Sequence, residues 1–138
     1  EIYTLSLHDA LPISTSAEEA DGRILPYYKR LIALRKELPV ISEGLYEPWE
    51  PDDPDVLGYI REHAPEGGRP GARLLVLCSF RDHDTEVRVP ADLAAGRVLI
   101  TNYPDRHPDS YAERPLGPTV RLAPYEALAL IVNSPDTL

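Results

Sequence analysis

From residue 24 onward the apolar positions Ile24, Tyr27, Tyr28, Leu31, Leu34 and Leu38 recur mostly at three- and four-residue steps. That spacing predicts an amphipathic α-helix over residues 23–38. Asp21 is placed to cap it, Pro26 fits its first turn, and Pro39 stops it. Lys29, Arg30, Arg35 and Lys36 fall mainly off the apolar side, two of them near the negative end of the helix dipole. Tyr28 and Ile32 widen the stripe beyond one face, as a helix with two packing partners requires.

After Pro39 the texture changes to short apolar runs separated by Pro, Gly and Asp, the pattern of an all-β unit. Strands are predicted at 44–49, 56–62, 73–80, 85–89, 97–101, 119–122 and 127–132. The connections PDDPD, APEGGRPG and NYPDRHPDSYAERPLG are rich in turn formers. LLVLCSF is the most apolar run and is expected to be a central strand buried on both faces, with EALALIV as a second. Seven short strands cannot hide their apolar sides in one flat sheet. The expected fold is therefore mainly β: an antiparallel β-sandwich of about seven strands over residues 39–138, preceded by one amphipathic α-helix and a polar loop at 14–22.

The opening stretch EIYTLSLHDALPI needs separate treatment. A secretory signal would have a basic leading region and an unbroken apolar run, but this stretch has no Lys or Arg and is interrupted by His8 and Asp9. Residues 1–13 resemble the in-frame translation of a widely used sequencing adapter, so they are set aside as non-native, along with the His8–Asp9 pair that could otherwise pass for a catalytic dyad. The chain contains no methionine, and a fragment of a longer protein is expected.

About 125 residues remain, the size of one domain. Of the formal charge of −9, Glu1 and Asp9 supply two, leaving −7. An acidic chain repels phosphate backbones and anionic lipid, which argues against nucleic acid and membrane partners. Cys78 is the single cysteine, which excludes an internal disulfide and suits a reducing, cytoplasmic setting. In an apolar strand it is expected to be a small buried hydrophobe.

Candidate chemistry is sparse. Asp82, His83 and Asp84 are adjacent, so on a strand or turn they point apart and do not make a metal site. His107 lies in a Pro-rich loop with Asp105 and Asp109 that lacks the glycine and repeated oxygen ligands of a calcium loop. Glu50, Asp52, Asp53 and Asp55 read as a solvated turn. No catalytic, cofactor-binding or metal-ligating residue is assigned, and no cofactor is expected.

Four stretches carry a resemblance: YYKRLIALRKELPVISEGLYE (27–47), DDPDVLGYIRE (52–62), LLVLCSFRD (74–82), and ITNYP (100–104) followed by LAPYEALAL (122–130). In this order they resemble the junction between the last barrel helix and the C-terminal domain of the α-amylase superfamily of glycoside hydrolases. The closest branch is that of oligo-1,6-glucosidases, trehalose-6-phosphate hydrolases and α-glucosidases. The family usually has asparagine where this chain has Cys78. The resemblance implies that the catalytic carboxylates sit on barrel strands upstream, so that this chain is not itself an enzyme. Its partner would then be the catalytic barrel, faced by Tyr28, Leu31, Ile32 and Leu34. The rival expectation is a free-standing carbohydrate-binding β-sandwich module that stacks sugar rings on Tyr46, Trp49, Tyr103 and Tyr111.

Because residues 1–13 are read as foreign to the fold, deleting them should change unfolding free energy by no more than about 0.5 kcal/mol. Chemical denaturation of the two forms checks this, and a loss above about 1 kcal/mol would return the segment to the core.

Overall fold

The computed structural model describes residues 24–68, 71–104 and 117–133. The adapter-like segment 1–13, the loop 14–22, the His107 loop and Tyr111 lie outside these residues. Two compact units divide the chain, residues 1–37 and 38–138. The first contributes helix α1, Ile24–Glu37. The second contributes a one-turn helix α2, Pro39–Ser42, and seven strands: β1 Leu45–Pro48, β2 Val56–His63, β3 Ala72–Ser79, β4 Thr85–Arg88, β5 Arg97–Thr101, β6 Thr119–Leu122 and β7 Ala127–Asn133. Every strand falls within a residue of its expected ends, and the fold is mainly antiparallel β.

Pro39 does end α1, but it also begins α2, which the sequence pattern did not reveal. Leu38 is extended, with φ −113° and ψ 104°, because a residue before proline is pushed out of the helical region. Pro39 then occupies the first turn of α2, where its missing amide costs nothing. Arg61 of β2 reaches this helix: its Nε donates to the Val40 carbonyl at 3.3 Å and its Nη2 to the Gly44 carbonyl at 2.7 Å. Gly44 closes the turn so tightly that a Cβ there would lie 2.3 Å from the Val40 oxygen.

The strands form a five-stranded sheet in the order β1-β2-β3-β7-β5 and a two-stranded sheet β4-β6. The central strand β3 pairs Leu75 with Ile60 on one side and with Leu130 on the other, and Leu77 with Gly58 and Leu128. These positions share one face of the sheet because side chains alternate along a strand. Val87 and Leu122 of the small sheet, with Val120 opposite Val87, meet them to form the core together with Val56, Val89, Leu93 and Val98. Full burial of each large aliphatic side chain is worth about 1.5–3 kcal/mol, so this layer between the sheets carries most of the domain's stability. In β5 a bulge between Val98 and Ile100 lets Val98, Leu99 and Ile100 all be buried, which plain alternation would forbid.

Burial of LLVLCSF is less complete than its composition implied. Leu75 and Leu77 are sealed between the sheets and Leu74 is buried on the opposite face, but Val76 and Cys78 on that face are half-exposed and Phe80 is exposed. An apolar run specifies two apolar faces; it does not supply a second layer. Cys78 is accordingly half-buried instead of a core residue, and partial burial pushes its thiol pKa up, which keeps it protonated at neutral pH.

Helix α1 buries only Leu34, and isolated helices of this length are marginal. Amide hydrogen exchange should therefore be markedly faster over residues 28–37 than over residues 74–80 at the sheet centre. Equal protection of the two segments in a monomer would show α1 to be fully stabilised by this chain.

Candidate functional site

The face of the large sheet that turns away from the small one carries Leu57 and Tyr59 of β2, Val76 and Cys78 of β3, and Ala127 and Ala129 of β7, aligned by the register Leu57↔Cys78↔Ala127 and Tyr59↔Val76↔Ala129. Leu57 is 56% exposed and Phe80 65% exposed. The Phe80 amide donates to the Asp55 carbonyl at 2.9 Å, which continues the β2–β3 ladder and keeps Phe80 on the same face as Cys78. Large side chains so open to solvent on two neighbouring strands are the feature this domain leaves unexplained by its own core.

Helix α1 presents a comparable row. Ile24, Tyr28 and Ile32 follow one another at four-residue steps and are exposed, as is Leu25, whereas Tyr27 and Leu31 are half-buried and Leu34 is buried. Of the four positions expected to face a barrel, Tyr28 and Ile32 thus remain open, and Leu31 and Leu34 are wholly or partly withdrawn from solvent. The Tyr28 ring meets Tyr27 edge-on at 6.2 Å.

The aromatic residues singled out for sugar stacking take separate places. Tyr46 is exposed on the edge strand β1, and its ring lies 5.6 Å from that of Tyr59, tilted by 37°. Trp49 packs against the core cluster and rests on Gly58, where a Cβ would come within 2.8 Å of the indole. Glycine is required at that point to let the ring down onto the sheet. Tyr103 lies just past β5, at the opposite edge of the sheet from β1, and its hydroxyl donates to the Pro124 carbonyl at 2.8 Å. Tyr46, Trp49 and Tyr103 are therefore not neighbours.

Several carboxylates of this unit are engaged by arginines. Arg81 grips Asp53 with both Nε (2.8 Å) and Nη2 (3.0 Å), Thr85 Oγ1 donates to the same carboxylate at 2.9 Å, and the Asp55 amide donates to it at 2.9 Å. Asp53 is thus not the solvated turn residue its surroundings in the sequence suggested. Its side-chain partners come from 28 and 32 positions away, and neither is visible in a local reading. Arg73 gathers Glu47, Glu62 and Asp92, and Arg121 pairs with Asp84. Asp82 pairs with His83 at 2.8 Å, whereas Asp84 pairs with Arg121. Among the described residues no group of three His, Cys, Asp or Glu side chains is arranged to hold a metal ion, and no helix is long and apolar enough to cross a membrane.

No family model matches the chain. Individual proteins do. The sequence is 34% identical over 106 residues to the oligo-1,6-glucosidase of Halalkalibacterium halodurans, which covers 75% of this chain and 17% of that enzyme. It is 30% identical over 113 residues to the trehalose-6-phosphate hydrolase of Bacillus subtilis, covering 79% of this chain and 18% of that enzyme. Among solved structures, the trehalulose synthase of Pseudomonas mesoacidophila superposes with a TM-score of 0.62 at 23% identity over 84% of this chain and 19% of that one. The isomaltulose synthase of Erwinia rhapontici gives 0.60 at 24% identity, over 79% and 17%. At these identities the structural likeness is one of fold. The chain spans about a fifth of the length of the relatives it matches.

The Asp53 clasp predicts a pH dependence. The Arg81 guanidinium, with help from the Asp55 amide and the Thr85 hydroxyl, lowers the Asp53 pKa from an ordinary 3.8 to about 2. A carboxyl whose folded pKa lies below its unfolded value stabilises the fold above the unfolded pKa and ceases to do so as pH falls through the folded one. Urea unfolding should therefore show stability falling between about pH 4 and pH 2, and Asp53→Asn should flatten the profile in that window while lowering stability at pH 7. An unchanged slope in the variant would show that the clasp does not contribute.

Proposed function

Because the chain belongs to the α-amylase family of glycoside hydrolases, we propose that it acts as the non-catalytic C-terminal β-sandwich of an α-glucosidase-type enzyme, with α1 as the last helix of the catalytic barrel. Its role is to cover apolar surface on that barrel and hold it closed. The observation that carries this reading is the outward sheet face with Leu57 and Phe80 in solvent, in a chain that spans only about a fifth of its relatives. Each such side chain stands to gain about 1.5–3 kcal/mol on full burial. The exposed row Ile24, Tyr28, Ile32 on α1 supports the same partner. We place the parent enzyme in the cytoplasm, where the lone Cys78 thiol would persist.

The chemistry of the described carboxylates supports a non-catalytic role for the chain. A retaining glycosidase needs two carboxyl groups about 5–5.5 Å apart, one of them held protonated by its surroundings. Here Asp53 and Asp55 share Arg81, while Glu47, Glu62 and Asp92 surround Arg73. A guanidinium favours the ionised carboxylate and so opposes the proton donor that hydrolysis requires.

The competing reading, a free-standing carbohydrate-binding module, draws its support from exposed Tyr46 lying against half-buried Tyr59. The two rings are tilted, and Trp49 is turned into the core.

The purified chain should not hydrolyse maltose, isomaltose or an aryl α-glucoside, and should not bind malto-oligosaccharides by titration calorimetry. Turnover that disappears when one of the chain's own acids is replaced would overturn the non-catalytic role. Saturable oligosaccharide binding abolished by Tyr46→Ala would favour the module.

A further inference from the structure

Tyr125 departs from what its own domain requires. It sits in the turn between β6 and β7 with φ +55°, the one described non-glycine residue in the left-handed region. A bulky side chain pays a penalty there that glycine avoids. The conformation is held from several sides. The Tyr125 amide donates to the Arg81 carbonyl at 3.1 Å, its carbonyl accepts from Asn102 Nδ2 at 3.1 Å, and the next amide, that of Glu126, donates to the Ala123 carbonyl at 3.1 Å. The turn thus fixes the backbone, yet the side chain is 59% exposed.

The β3–β7 register shows where this tyrosine stands. Cys78 lies opposite Ala127, and the Ser79 amide donates to the Glu126 carbonyl at 2.8 Å. Beyond that point the ladder gives way to the turn, where the Tyr125 amide bonds to the carbonyl of Arg81, the residue after Phe80. Leu57 is next to Cys78 on the other side. Leu57 and Phe80 on neighbouring strands and Tyr125 in the turn before β7 are, among the described residues, three of the five exposed large apolar side chains of the β-unit, Leu45 and Tyr46 of β1 being the others.

We propose that Leu57, Phe80 and Tyr125 form the anchor of the contact between this domain and the catalytic domain of its parent enzyme, with Tyr125 held in a costly backbone conformation so that its ring enters that contact. The inference rests on the docking role given above and names its centre. The occupant is the remaining four-fifths of the parent, since the relatives extend that far beyond the matched segment. Tyrosine is among the residues enriched at interface hot spots, and aromatic side chains in general are enriched at interfaces. Arg81 is held by Asp53 and Asp55 beside it, which keeps the rim polar and the centre apolar.

Two measurements test the anchor. In the isolated chain, Tyr125→Gly should leave the melting temperature unchanged or raise it, because the turn is kept and the left-handed penalty is relieved. A drop of several degrees would mean that the ring packs within this domain, and would overturn the assignment. In the second measurement, the Halalkalibacterium halodurans oligo-1,6-glucosidase is expressed without its matching segment and together with this chain, and soluble α-glucosidase activity is read. The unmodified chain should raise that activity. Leu57→Ser, Phe80→Ser and Tyr125→Gly combined should reduce the gain about tenfold or more, the effect expected of losing one hot-spot contact or more, while Glu86→Ala and Arg88→Ala should not. Rescue unaffected by the triple variant overturns the anchor alone. No rescue by the unmodified chain counts against the docking role itself.

Discussion

The structure depends on one layer of contact, the meeting of the five-stranded sheet's inner face with the β4-β6 pair. Leu75 and Leu77 sit at its centre, with no exposed surface, against Val87 and Leu122, which have none either. A two-stranded ribbon is not stable in water by itself. It persists here because Val87 and Val120 on one rung, with Leu122 two residues on, point into that layer. The connection between β4 and β5 is drawn in by the same layer: Leu93, in a turn closed by its own amide to Pro90 and by Gly96 to its carbonyl, is almost wholly buried there.

Polar groups at the margin of that layer are paired off locally. The loop before β2 is pinned to the β3–β4 turn by Asp53, Arg81 and Thr85. The turn before β7 is closed by Glu126, a fully buried residue whose carboxylate oxygen accepts from the Ala123 amide at 3.4 Å and whose backbone amide donates to the Ala123 carbonyl. Asn102 completes that end of the sheet, with its Nδ2 on the Tyr125 carbonyl and its Oδ1 accepting from the Ala127 amide at 2.9 Å. Buried polar atoms that go unpaired are costly, so these short connections contribute order out of proportion to their length.

What the sequence made legible follows from range. The strands were readable because alternation and turn formers act over a few residues, and α1 because its apolar steps repeat over four turns. Asp53's role was not readable, since nothing in PDDPD announces an arginine and a threonine some thirty residues on. Nor was the conformation of Tyr125: a tyrosine after proline carries no mark of a positive φ, which is imposed by the Arg81 carbonyl and the Asn102 amide. The half-open face of β3 was misjudged for a related reason. The alternate residues Val76, Cys78 and Phe80 are as apolar as Leu75 and Leu77, and composition alone does not say whether a second layer is present. A signal did exist in DVLGYIRE, where Val56 and Ile60 alternate with Leu57 and Tyr59, so that both sides of an off-centre strand are apolar.

That double-sided character separates two kinds of sheet face with different physical duties. The inner face is satisfied within the chain, and its large-to-small changes would leave cavities. The outer face grades from buried Leu74 and Ile131 to exposed Leu57 and Phe80, as though the layer that covers it stopped part of the way along. The packing of the inner face does not require two large apolar side chains in water on neighbouring strands, nor a tyrosine in a backbone conformation that suits glycine. Both arrangements add to the free energy of the isolated domain. Both costs would be relieved by a surface that removed these side chains from water, as in the docking proposed above, whereas the inner face of the same five strands is satisfied by the chain itself.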